Sequence, residues 1–466
     1  MSLNISKYLR LFYTPLIMAA FIAAPTAMAK DYLVKSQKDY RKAAKKLKAG
    51  DSLILKDGEW KDFQIIFEGE GTAEDKITLR AETPGGVMLT GQSNLRIGGA
   101  YLNVSGLVFK DGYSPTRDVI DMRSPNYRGA AFLEISDIVI DGFNKPGTDD
   151  KDYWIDFRGV RNRLTRSALL NKTSFGATVI TTQELDNKHP GGHVIAENYF
   201  GPRPELGKNG GETIRIGVGK VSHQRFEMRV ENNYFEDASG EAEIISIKSH
   251  GNVIRGNMFV ESQGAVTFRQ GDDNLVTRNI FLGNGVKATG GVRLTSFNNT
   301  VTDNYFEGLA GDGGRSALTF MNGLSDKAAP LALYKQVQNA RVENNSFINS
   351  HAMTFGMRHS KYPDTQTYVP IDSVIAHNVI ANSKGATQVV NLDDKSGLRF
   401  EDNLGNLDKI KGGKDLNIIS APLSAPLIKA DNGLYYPQNS DVGAPLDLKP
   451  LSRDDVGPSY FVKPQR

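Results

Sequence analysis

Cysteine is missing from all 466 residues. Its absence excludes a disulfide framework, a zinc knuckle, an iron–sulfur site and a cysteine nucleophile. It suits an exported protein that does not depend on oxidation. A dominant charge of one sign is missing too, since 56 Lys and Arg face 53 Asp and Glu. Global charge therefore predicts no nucleic-acid partner, and any polyanion site must come from local clustering. No apolar run is long enough to span a membrane. The run Leu16–Ala24 follows Lys7 and Arg10 and precedes Ala27-Met28-Ala29. Residues 1–29 thus read as a secretory signal cleaved after Ala29, which places the mature chain in the periplasm or outside the cell. The expected state is a monomer.

What the sequence has in plenty is Gly, at 47, and Asn, at 33. The Asn are not scattered. The pattern Asn, any residue, then Phe or Ile begins at Asn198, Asn233, Asn257, Asn279, Asn304, Asn345 and Asn378. The intervals from Asn233 to Asn304 are short and nearly equal, and they read as one turn of a solenoid each. The longer ones, above all that from Asn304 to Asn345, read as a turn with an inserted loop. Short β-rich runs such as Val194-Ile195 and Val253-Ile254 precede most copies. A repeat of this length with short strands points to an all-β, single-domain parallel β-helix. Phe and Ile stack inward, and Asn at a fixed corner takes a left-handed bend while bonding from turn to turn. A leucine-rich repeat lacks its Leu lattice here, a propeller needs a longer period, and a β-sandwich is the general alternative.

The ends fit this picture. Ser36 caps a helix with Asp39 three residues on, and Tyr40, Ala43, Ala44 and Leu47 make an apolar stripe on a Lys-rich helix that Gly50 stops. Such a helix covers the first coil and its unpaired strand edges. Residues 30–420 then form the catalytic β-helix of ten to thirteen turns. Residues 421–466 hold 7 of the 19 prolines and read as an extended tail docked on it through Tyr435, Tyr436, Tyr460 and Phe461.

Residues between the inward apolar positions point outward. This parity turns out Arg215 in Ile214-Arg215-Ile216, Lys248 after Ile245-Ser246-Ile247, Arg269 after Val266-Thr267-Phe268, and Arg293 in Val292-Arg293-Leu294. The expectation is a basic ladder with a rung every ~4.8 Å, a spacing that suits a polymer with one carboxylate per sugar. The competing reading is ordinary solvated charge. Beside the ladder stand Glu241 and Glu243, which share a parity and repel unless a cation lies between them. Lys248 has the opposite parity, so a bend near Ile244-Ile245 is required. One turn earlier comes Asn209-Gly210-Gly211-Glu212. Asn and Glu oxygens are hard ligands suited to Ca²⁺, although paired surface carboxylates are the plainer alternative. Glu212 has inward parity unless the Gly pair bulges.

The segments Asn209–Gly217, Gly240–Ser249 and Phe268-Arg-Gln-Gly271, with the closing Asp454-Asp455-Val456-Gly457-Pro458, resemble polysaccharide lyase family 6. That family contains alginate lyases and chondroitinase B. The resemblance covers nearly the whole mature chain. It implies a right-handed parallel β-helix and eliminative cleavage of uronate polymers. By position, Lys248 matches the family's general base and Arg269 its general acid. Asn209, Glu241 and Glu243 match its calcium ligands, and Glu212 falls in the same motif. Where the family often has His after the catalytic Arg, this chain has Gln270. It shows one β-helix domain, while some members carry two.

The expected substrate is alginate, an anionic polysaccharide. Arg215, Arg293, Arg358, His359 and Tyr362 are candidate subsite residues, though each is equally read as structural. The alternatives are a chondroitinase B-like lyase on dermatan sulfate, a non-catalytic polysaccharide-binding solenoid, and a uronate C5-epimerase, which leaves no unsaturated ends. Block preference and endo or exo action lie in the loop inserts, of which the interval before Asn345 is one.

Overall fold

The computed structural model describes residues 29–147, 150–182, 191–325, 333–361, 363–395, 397–438 and 441–464. The expected signal, apart from Ala29, and Tyr362 lie outside the described residues. Among these residues no helix is long and apolar enough to cross a membrane.

The chain winds through three parallel sheets of 14, 15 and 14 strands, and each full coil adds at least one strand to each sheet. The expected parallel β-helix is borne out. Among the described residues thirteen coils place a strand in all three sheets, the upper end of the ten to thirteen anticipated. The core is one continuous apolar column along the axis. Phe200, Phe235, Phe259, Phe281, Phe306 and Phe347 stack with ring centroids 4.4–4.8 Å apart. That distance is the strand spacing itself, so each aromatic rests on the equivalent residue of the next coil.

The Asn positions form a buried ladder. The side-chain amide of Asn198 donates to Asn233 at 2.9 Å, and the relay continues through Asn257, Asn279, Asn304, Asn345 and Asn378 to Asn403. Each carbonyl oxygen also accepts the backbone N–H of the preceding Asn. Corner amides that would otherwise be buried without partners are thus satisfied. The left-handed bend falls one residue earlier than expected, at Glu197, Asn232, Arg278, Asp303, Asn344 and His377, with φ from 54° to 60°. That residue turns the chain, and the turn swings the following Asn inward to bond.

At the N-terminal end α1 (Gln37–Ala44) covers the first coil, capped by Ser36 Oγ, which accepts the Asp39 N–H at 3.1 Å. It ends well before Gly50. At the other end, Ala421-Pro422 still pairs with the last coil. Beyond it Leu434, Tyr436, Ala444, Leu448 and Val456 pack on Tyr199, Tyr305 and Val379, on the outside of the third sheet.

Candidate active site

The site is built on consecutive strands of the second sheet: β1 (Ile214–Ile216), β2 (Glu243–Ile247), β3 (Gly264–Phe268) and β4 (Thr289–Leu294). Their apolar residues point into the core. Arg215 is in register with Ser246, Ser246 with Thr267, and Thr267 with Arg293. Lys248 and Arg269 directly follow the paired Ile247 and Phe268. The cations therefore make two files, not the single ladder expected. Arg215 and Arg293 stand in one, and Lys248 and Arg269 lie two residues further along the strands. Sequence spacing suggests that Arg293 succeeds Arg269 on the next coil. It does not, because the strands pair across a register shift that sets Val266 against Val292 and Thr267 against Arg293.

The required bend is present. Register shifts between Glu243 and Ile245, and this brings Glu243 to the same outer face as Lys248. Glu212 joins them despite its inward parity. Oxygens of Glu212, Glu241 and Glu243 lie within 4.8 Å of one another, and all three residues are buried. The Gly pair explains the approach. A side chain at Gly211 would meet the Gly240 carbonyl oxygen at 2.2 Å, and one at Gly240 would meet that of Gly211 at 2.2 Å. Only glycine lets the two loops come this close.

The three carboxylates have different partners. Glu212 accepts from Nε and Nη2 of Arg215, at 2.7 and 2.5 Å. Glu243 accepts from Arg293 and lies 3.6 Å from Arg269 Nε. Burial alone would raise its pKa, but Arg293, Arg269 and Lys248 outweigh burial and bring it down to about 2. Glu241 accepts the Gly210 N–H at 2.8 Å through Oε2, while Oε1 is buried with no donor. Burial, then Glu212 and Glu243, push its pKa up to about 8.

Lys248 has its pKa lowered, first by burial and then by Arg215 and Arg269, against the opposing pull of Glu243 and Glu212. Burial as the largest cause is not visible in the sequence. Arg269 lies over the ring of Tyr334, 4.0 Å from its centroid, and Tyr334 stacks on His359 at 5.6 Å. These groups border a cleft of about 390 Å³ lined by Asn209, Glu241, Glu243, Arg269, Arg293, Tyr334 and His359. Glu205 and Arg315, also on its wall, are bridged at 2.9 Å. Nη1 of Arg269 and Nε of Arg293 are buried without acceptors. The cleft thus holds unpaired donors beside an unpaired acceptor, an arrangement that fits an anion and a cation bound together.

Two anticipated subsite residues are placed differently. Arg358 is clamped on Asp393 at 2.9 and 2.7 Å and donates to the Pro363 carbonyl at 2.8 Å, so its donors are committed away from the cleft. Arg215 is committed to Glu212. Tyr334 and Arg315 escape sequence reasoning. Both lie in the long interval before Asn345, whose excess length is the available signal.

A family model described as Chondroitinase B matches residues 34–446. Among solved structures, the chain is similar to the PL6 family alginate lyase AlyGC, with 41% identity, a TM-score of 0.88, and cover of 94% of this chain and 59% of that one. This chain therefore spans about three fifths of AlyGC. It is similar to a mannuronic acid specific polysaccharide family 6 lyase from human gut microbiota, with 30% identity, a TM-score of 0.75, and cover of 85% and 92%. It is also similar to the PL6 family polysaccharide lyase Pedsa3628 from Pseudopedobacter saltans, with 27% identity, a TM-score of 0.75, and cover of 92% and 99%. No curated protein matches the chain in sequence.

Proposed function

This chain belongs to the chondroitinase B family, polysaccharide lyase family 6, and we propose that it is an exported, monomeric alginate lyase acting by calcium-assisted β-elimination. The observation that carries this reading is the cleft in which Glu241 Oε1 lacks a donor while Arg269 Nη1 and Arg293 Nε lack acceptors. A divalent cation with a substrate carboxylate on it completes both sets.

The donor set fits calcium. Glu241, Glu243 and Asn209 offer oxygen ligands at the cleft, with Glu212 in the same cluster, and hard oxygens are what Ca²⁺ takes. When bound, calcium neutralises the uronate carboxylate and so acidifies the adjacent C5–H bond. Lys248 accepts the C5 proton. Its half-buried position disfavours the ammonium form, which favours the neutral amine the task needs. The C5 electron pair forms the C4–C5 double bond as the C4–O4 bond breaks. Arg269, steadied by Tyr334, donates to the charge that develops on the carboxylate. Water delivers the proton to the departing O4.

The test is ultraviolet absorbance of the 4,5-unsaturated product on mannuronate-rich and guluronate-rich alginate with calcium present. Absorbance should rise, and Lys248→Ala should cut the rate by about 10²–10⁴-fold. No absorbance on either polymer defeats the reading. The family model's description favours a second reading, a lyase on dermatan sulfate. Activity there and none on alginate selects it.

A further inference from the structure

The mature chain is almost neutral, yet its charge is unevenly placed. Residues 30–61 hold ten Lys and Arg against five Asp and Glu, while residues 62–466 hold 44 against 48. The surplus is concentrated on the N-terminal cap. Lys38, Arg41, Lys42 and Lys45 fall at i, i+3, i+4 and i+7 along α1 and its C-cap, and all four are exposed. They lie opposite Tyr40 and Ala43, which are buried against the first coil. Lys35, Lys46 and Lys48 extend the same exposed surface.

These cations are uncompensated. Among the described residues none of the seven forms an ion pair with a carboxylate, and Lys56 alone on the cap is paired, with Glu82 at 3.6 Å. Most of the local acids are committed elsewhere. Asp39 bonds Ser36 Oγ, Asp51 accepts the Lys30 and Lys48 N–H groups, Asp57 accepts the Thr83 N–H, and Glu59 accepts from Thr90 Oγ1. Beside the stripe is a hollow of about 220 Å³ walled by Trp60, Gln37, Lys35, Lys56 and Lys61. Its volume is that of about one sugar ring, and Lys35, Lys56 and Lys61 border it together with Asp57 and Glu59.

We propose that this cap surface, made by the basic stripe of α1 and the hollow at Trp60, is a second binding surface for an anionic polysaccharide chain, separate from the cleft. Lys38, the adjacent pair Arg41 and Lys42, and Lys45 follow one another at ~4.5–6 Å along the helix axis, close to the pitch of a polymer with one carboxylate per sugar. A lipid surface is the weaker fit, because the apolar face of α1 is already buried in the solenoid and has nothing to insert. The cap would hold a long chain near the enzyme and raise its effective concentration at the cleft. The choice of a uronate polymer as the ligand rests on the proposed lyase reading, but the surface itself does not.

The experiment compares the full chain with a triple variant, Lys38→Gln, Lys42→Gln and Lys45→Gln. Exposed Gln keeps the helix propensity, and an unchanged melting temperature checks the fold. Migration is followed in native gels holding alginate or neutral dextran, across a salt series. The parent should be retarded by alginate and not by dextran. The triple variant should bind about tenfold more weakly, with the slope of log affinity against log salt reduced by about two to three. Its rate on long polymer should fall while its rate on short oligosaccharide stays unchanged. Equal retardation of the two proteins overturns the proposal. So does loss of binding by the variant only to anionic phospholipid vesicles. Differential retardation without lyase activity in the parent upholds the cap surface and defeats the lyase reading instead.

Discussion

Two trios of buried carboxylates occupy the same sheet, Asp118, Asp121 and Asp156 in the early coils and Glu212, Glu241 and Glu243 further along. In both, the oxygens are close enough to hold an ion. In both, burial pushes carboxyls up: Asp118 and Asp156 in the first, Asp156 to about 7, and Glu241 to about 8 in the second. Proximity and proton affinity do not separate them, but partners do. Asp118 accepts from Nε and Nη2 of Arg117, Asp121 takes one donor each from Arg158 and Arg123, and Asp156 takes Arg117, Arg158 and Thr182. Every oxygen of that trio has a donor. In the Glu trio, Oε1 of Glu241 has none. The first trio is a closed ion-pair network, and the second leaves one buried carboxylate oxygen without a partner.

The comparison breaks most sharply in activity. Glu241→Gln should cost at least ~100-fold in the lyase rate on alginate, while Asp121→Asn leaves it essentially unchanged, both read by product absorbance. Stability should show the reverse. Arg158→Met leaves Asp121 and Asp156 facing each other without their shared cation, so urea unfolding should show a loss of about 3–5 kcal/mol that calcium does not restore. Arg293→Met strips Glu243 in the same way, but there calcium should recover most of the loss.

Calcium itself should stabilise the parent by about 2.7 kcal/mol at a hundredfold excess over its Kd. Thermal melts should show this kept in Asp121→Asn and absent in Glu241→Gln. The smallest effect is in protons. Glu241 holds its proton more tightly when folded, about 8 against an ordinary 4.5, so the folded chain binds more protons than the unfolded one between those values. Metal-free stability should therefore fall as pH rises through that window. Calcium binding near pH 7 should release close to one proton, which calorimetry in two buffers of different ionisation heat reads directly.

Much of this is legible in the chain. Asn198 to Asn378 announce the coil because one ladder position demands one residue type in every turn. Lys248, Arg269, Glu241 and Glu243 are legible because strand parity is local. Tyr334 is not, since it reaches Arg269 from a loop far along the chain. Nor is the commitment of Arg358 to Asp393, which depends on two coils being adjacent. The two cation files are blurred because a register shift changes alignment without leaving a mark in residue spacing.

The sequence by itself determined the repeat, the inward aromatics, the capping helix and the residue types of the site. All of these follow from periodicity along one chain, since each coil meets the same steric and hydrogen-bonding demands as the last. The tertiary structure alone decided which charges neutralise which. Ion pairing and burial depend on distances across coils, and a displacement of a few ångströms in a buried region separates a satisfied carboxylate from one with an oxygen to spare. The absence of cysteine leaves carboxylates, Lys and Arg to line the cleft, and their pairing leaves the spare oxygen at Glu241 and not at Asp156.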